Sequence, residues 1–183
     1  MGVQEAMSAA CWQFFKVRPC NFPVRRLASM SYLVSRHKQR GLFRGLVAII
    51  GEASPVDAGR SLESGLLVNA TGYWAEHFDF GTRSHTLSRS LLGKQRAAEI
   101  IVNVLLPFTY AWGRYISHPA LEGTALELFR RYPCMPANSL ERHMRAQLGI
   151  DGKFVISARR QQGLIHIYKT FCIEGRCSDC PLG

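Results

Sequence analysis

Apolar residues recur at steps of three and four along most of this chain, the spacing that lines one face of a helix. The strongest instance runs from Lys94 to Trp112. There Ala97, Ile100, Ile101, Val104, Leu105, Phe108 and Trp112 form one stripe, which predicts a buried core helix bent at Pro107, whose ring removes a backbone donor. Around it the same reading places shorter helices. Met7 to Lys16 carries Trp12, Phe14 and Phe15 and is stopped by Arg18-Pro19. In the next helix Asn21 is the expected cap and Pro23 suits the first turn, with a packing stripe of Val24, Leu27, Ala28, Ser31 and Val34. Gly41 to Gly51 and, more weakly, Ala58 to Leu67 follow. Tyr73 to Phe80 is aromatic, and Gly81 to Ser90, containing His85, reads as the longest loop. Pro119 opens a helix that ends before Pro133; Asn138 with Glu141 three residues on marks another, to about Leu148. Ser157 caps a last one, in which Leu164, Ile165, Tyr168 and Phe171 pack, while Phe154 to Ile156 has nothing to pair with as a strand. The expected fold is all-α, an array of about six to eight short helices around the central one.

Length and composition narrow this further. With 183 residues and 47% hydrophobic content the chain fits one domain with a real core, which excludes disordered and collagen-like classes. The opening residues lack the layout of a secretory signal and no apolar run is long enough to span a bilayer, so no membrane partner and a cytoplasmic location are expected.

Charge changes the picture more. The formal net charge is +10, and no acidic residue lies between Glu5 and Glu52, where Lys16, Arg18, Arg25, Arg26, Arg36, Lys38, Arg40 and Arg44 all fall. Such a block attracts phosphate or acidic partners. Arg25 and Arg26 sit in a helical first turn, where the dipole disfavours cations unless an anion or a neighbouring carboxylate compensates. Arg18, Arg25 and Arg26 are therefore the candidate nucleic-acid contacts, with a solvated helix surface, or a buried carboxylate partner for Arg25 and Arg26, as the alternative.

The chain ends in a cysteine-rich tail. Cys172, Cys177 and Cys180 are spaced C-x4-C-x2-C, and a short turn lets both sulfurs of the final pair face one ion. Zinc or an iron-sulfur cluster suits this spacing, with Cys134, His77 or His143 available as a further ligand by residue type; a metal-free thiol cluster is the alternative. The chain divides accordingly into a helical domain, 1–171, and a tail, 172–183.

Four blocks carry a resemblance: WQFFKVRPCNFPVRRLA, YWAEHFDFG, LGKQRAAEIIVNVLLPFTYAWGRY and the ending C-x4-C-x2-C-P-L-G. Together they resemble the C-terminal half of a bacterial family known as domain of unknown function 2851. That resemblance implies a partner half, similar to PD-(D/E)XK nucleases, on the same chain or as a separate subunit, and a tail site formed without Cys134. No catalytic constellation is present: Gly93-Lys94 lacks the rest of a phosphate loop, and neither H-E-x-x-H nor G-x-S-x-G occurs. Three readings result. The first is a non-catalytic, metal-binding helical domain that contacts nucleic acid beside a nuclease-like half; the second is a protein-interaction or scaffold module; the third, an electron carrier, needs a redox-active cluster.

Overall fold

The computed structural model describes residues 21–52, 55–83 and 89–182, together with Ser8 and Cys11. The helix expected over Met7 to Lys16, Arg18, and His85 with most of its loop lie outside the described residues.

The architecture is mostly all-α. Helices α1 (Pro23–Arg36), α2 (Leu42–Glu52) and α3 (Pro55–Leu66) come first. A short non-helical stretch follows, holding β1 (Val68–Asn69), a 3₁₀ turn Gly72–Ala75, β2 (His77–Asp79), β3 (Thr82–Arg83) and β4 (Ser90–Leu92). β1 pairs antiparallel with β4, and β2 with β3. Strands of two or three residues are too short to show an alternating pattern, so the sequence does not announce them. Then come α4 (Lys94–Ile100), a π-turn Ile101–Leu105, α5 (Leu106–Tyr115), α6 (Pro119–Arg131), α7 (Ser139–Leu148) and α8 (Ala158–Ile167), with a second π-turn over Tyr168–Cys172.

Two of the three expected caps form. Asn138 Oδ1 accepts from the Glu141 backbone N–H at 2.8 Å, and Ser157 Oγ accepts from that of Arg160 at 3.4 Å. Asn21 does not cap α1, whose N-cap is Phe22; its Oδ1 instead accepts from Arg26 Nη2 at 2.6 Å.

The central helix is continuous from α4 to α5 and yields before Pro107 rather than at it. Within the π-turn the Leu106 N–H donates to the Ile101 carbonyl, five residues back. This widened turn takes up the register that a proline without an N–H would otherwise break. The buried face carries Ala97, Ile101, Val102, Leu105, Leu106, Thr109 and Gly113. Gly113 is where α5 meets α6: a Cβ there would lie 2.9 Å from the Glu122 backbone nitrogen.

The interior forms two clusters. The larger draws on α1 to α6 and the β1/β4 ribbon, and includes Leu33, Ile50, Leu62, Val68, Ile101, Leu106, Leu128 and, from α8, Ala158. The smaller is Met144, Val155 and Leu164, with Leu140, Leu148, Ile150, Ile167, Tyr168 and Cys172 against it.

Tyr132 links α6 to α3 by donating its hydroxyl to Glu63 Oε1 at 2.6 Å. Burial, then the hydrogen bond to Glu63 and that residue's charge, push the phenol well above the usual tyrosine value. The folded chain therefore holds this proton where the unfolded chain releases it. Its contribution is complete below about pH 10 and is lost above that value at about 1.4 kcal/mol per pH unit. Urea titrations between pH 9 and pH 11, values taken about the free tyrosine pKa, are expected to show wild type losing its advantage over Tyr132→Phe as pH rises. A difference that stays flat with pH would contradict this.

Candidate functional site

Between Glu99 and Arg114 the central helix carries no charged residue on any face. A helix apolar all round belongs in an interior, yet one side of this one stands in solvent. Val104 is 60% exposed, Phe108 52%, Trp112 38% and Tyr115 81%. The stripe read from the sequence as one packing face is thus split by the structure. Its Ala97, Ile101 and Leu105 are buried and its Val104, Phe108 and Trp112 are not. One reason is the π-turn, which inserts a residue into the helical register and rotates everything after it relative to everything before.

The exposed rings are organised. Phe43 of α2 packs edge-on against Phe108 with centroids 4.6 Å apart and against Trp112 at 6.4 Å, and Trp112 stacks on Tyr115 at 5.6 Å. Ala111 and Pro107 continue the apolar surface around the helix. Beyond them, on the far flank, an open apolar cleft of about 230 Å³ lies between Leu106, Pro107, Tyr110, Ala125, Leu126 and Phe129. Lys38, Arg40 and Arg44, all exposed, flank Phe43 in sequence. No acidic residue precedes Glu52 in α1 or α2.

Of the arginines singled out from sequence, Arg25 and Arg26 differ in setting. Arg18 is outside the described residues. Arg25 is 1% exposed and points inward, where Nη1 donates to the backbone carbonyls of Trp74 at 2.7 Å and His77 at 2.8 Å. Carbonyl dipoles thus receive its Nη1, a kind of partner that residue type alone does not mark. Arg26, one residue on, is half-buried and reaches Asn21. Arg36 repeats the Arg25 arrangement at the other end of α1, donating to the carbonyls of Gly65 at 2.7 Å and Leu67 at 3.0 Å, at the C-terminus of α3 where cations are favoured.

In the tail, Cys172 and Cys180 are half-buried, Cys177 is exposed, and all three are thiols. Among the described residues no group of three or more His, Cys, Asp or Glu side chains converges in a way that would hold a metal ion. Of the further ligand candidates, Cys134 is exposed. His77 is buried, stacked on Tyr73 with ring centroids 3.8 Å apart, and His143 sits edge-on to Tyr168. Among the described residues no helix is long and apolar enough to cross a membrane.

Comparison with known proteins now adds a family. Residues 2–136 match the family model described as Protein of unknown function (DUF2851). The chain belongs to this family. The DUF2851 match spans α1 to α6, and so takes in the whole exposed face of the central helix together with Lys38, Arg40 and Arg44; α7, α8 and the tail cysteines lie beyond it. No curated protein and no solved structure matches the chain.

Proposed function

We propose that this chain is a helical docking module, and that the outer face of its central helix seats a protein partner whose own apolar helix face is rimmed by acidic residues. The observation that carries this reading is the charge-free run from Ile100 to Gly113 with Val104, Phe108 and Trp112 in water. Fully burying a side chain of this size is worth about 1.5–3 kcal/mol, and contiguous exposed apolar surface of this kind marks an interaction site. The acidic rim follows from Lys38, Arg40 and Arg44 beside Phe43, since complementary charge orients such complexes. A single-stranded nucleic acid would also suit basic and aromatic groups, but it uses cations interleaved with open ring faces. Here the ridge itself has no cation, and Phe43, Phe108, Trp112 and Tyr115 pack on one another.

Panning a displayed library of helical peptides on the folded protein tests this. The expected consensus has apolar residues at positions i, i+4 and i+7, with Asp or Glu at the flanks. Phe108→Asp and Trp112→Ala, made at solvent-facing positions, should keep the wild-type circular dichroism and abolish binding. Peptides that bind these variants as well as wild type would refute the reading, as would an absence of any consensus, or capture of labelled single-stranded DNA or anionic vesicles by this face instead.

A further inference from the structure

A second, polar cleft borders the first half of the central helix, and both π-turns of the chain contribute to it. It has a volume of about 460 Å³ and is bounded by Gln95, Glu99 and Asn103 from the central helix, by the loop from Met135 to Asn138, and by α8 with its C-terminal π-turn. Asn103 belongs to the first π-turn and Lys169 to the second. A π-turn gives up regular hydrogen-bond spacing, and such turns recur at functional sites because they re-aim a side chain. The first of these two is accounted for by Pro107. The second has no proline in or after it before Pro181, yet it too places a polar side chain in this cleft.

The lining divides into committed and uncommitted groups. Gln161, buried, already serves Met135 and Glu141. Asn138 caps α7, and Glu99 is held by Arg96 at 2.6 Å. The side chains of Asn103, Gln162 and Lys169 make no hydrogen bond or ion pair among the described residues. They supply two neutral amides and one ammonium beside apolar walls from Met135, Pro136, Leu140 and Ile165.

We infer that this cleft binds a small N-acylated apolar amino acid, or the equivalent C-terminal residue of a short peptide. Lys169 takes the carboxylate, because it is the cation without a partner in the lining. Asn103 and Gln162 offer the paired donor and acceptor that a secondary amide requires. A free α-amino group would need an uncommitted carboxylate, and Glu99 is already neutralised by Arg96. The four apolar residues accept an aliphatic side chain, and no aromatic ring lines the cleft to stack on a nucleobase. The volume falls in the usual range for small-ligand sites, about 300–1,000 Å³.

The experiment is an NMR titration of the full chain with N-acetylleucine, with uridine monophosphate, acetate and leucine as parallel arms. N-acetylleucine is expected to shift the side-chain amide signals of Asn103 and Gln162 saturably. Lys169→Met and Asn103→Leu, both at solvent-facing positions, should each weaken binding about tenfold, the loss of one good polar contact, with unchanged backbone spectra elsewhere. The inference is overturned if N-acetylleucine leaves those amides unmoved at millimolar concentration, if the variants bind it equally, or if acetate or leucine binds as well. Preferential binding of uridine monophosphate would overturn the ligand class.

Discussion

Arg25→Met is expected to lower the melting temperature by about 10 °C, the counterpart of about 4 kcal/mol in a chain of this size. Methionine fills most of the same volume but withdraws the Nη1 donor from the Trp74 and His77 carbonyls. Both carbonyls lie in the aromatic stretch that α1 packs against, and a buried acceptor left without a donor loses the full cost of its desolvation. Arg25→Lys is expected to recover only part of the loss, because an ammonium lacks the planar reach of a guanidinium. Arg26→Ala, one position away, should melt within about 1 °C of wild type, since surface substitutions stay within about 0.5 kcal/mol. Differential scanning calorimetry of the three variants decides the matter; an Arg25→Met protein as stable as wild type would show that the clamp contributes nothing. A practical corollary concerns nucleic-acid binding. A paired Arg25/Arg26 replacement would read out unfolding, so any loss of binding in it would say nothing about phosphate contact.

Gln161→Leu is expected to cost about 3 kcal/mol, the sum of the unpaired groups it leaves. Gln161 Nε2 donates to the Met135 carbonyl at 3.0 Å, its Oε1 accepts from the Met135 N–H at 3.3 Å, and Nε2 also serves the Glu141 carboxylate. Leucine has similar volume and none of these functions. Glu141 is itself buried, with Arg145 Nη1 3.8 Å away as its ion-pair partner. Removing both members, as Gln161→Leu with Glu141→Leu, should therefore be less destabilising than the two single losses added together, because the second change deletes a buried carboxylate that the first had left with one hydrogen bond fewer. Urea denaturation of the two single variants and the double closes the cycle. Strict additivity would argue that the two side chains do not act as a unit.

What was legible in the sequence was whatever repeats along a helix or sits at its ends. Asn138 with Glu141, Ser157, and Pro119 at the start of α6 announce themselves because caps and first-turn prolines act within three residues. The all-α architecture follows from the same periodicity. The tertiary partner of a side chain is another matter. Arg25 and Arg26 look alike in sequence, and the Trp74 and His77 carbonyls that Arg25 Nη1 reaches lie about fifty positions on, marked by no residue type. Val104, Phe108 and Trp112 read as core because a stripe of large apolar residues usually is. The one available signal to the contrary was that the run has no charge on any side, which leaves no polar face to turn outward. The polar cleft had no signal at all, since Asn103 and Lys169 come from distant segments that only the fold brings to one cleft.

Having two apolar clusters rather than one gives the molecule two energetic units. The smaller is built from α7, the back of α8 and the π-turn beyond it, while Ala158 at the front of α8 belongs to the larger. Its few fully buried side chains, Met144, Val155 and Leu164, make it the cheaper of the two to open. Fluctuations that release α7 and α8 would then run well below the free energy of global unfolding, leaving α1 to α6 closed. Amide protons in α7 are expected to exchange with solvent faster than those of the central helix, which hydrogen exchange read by mass spectrometry checks. Since Gln161 and the loop from Met135 to Asn138 lie at the seam between the units, whatever occupies the polar cleft acts as a latch on the weaker one, slowing its exchange without touching the stronger.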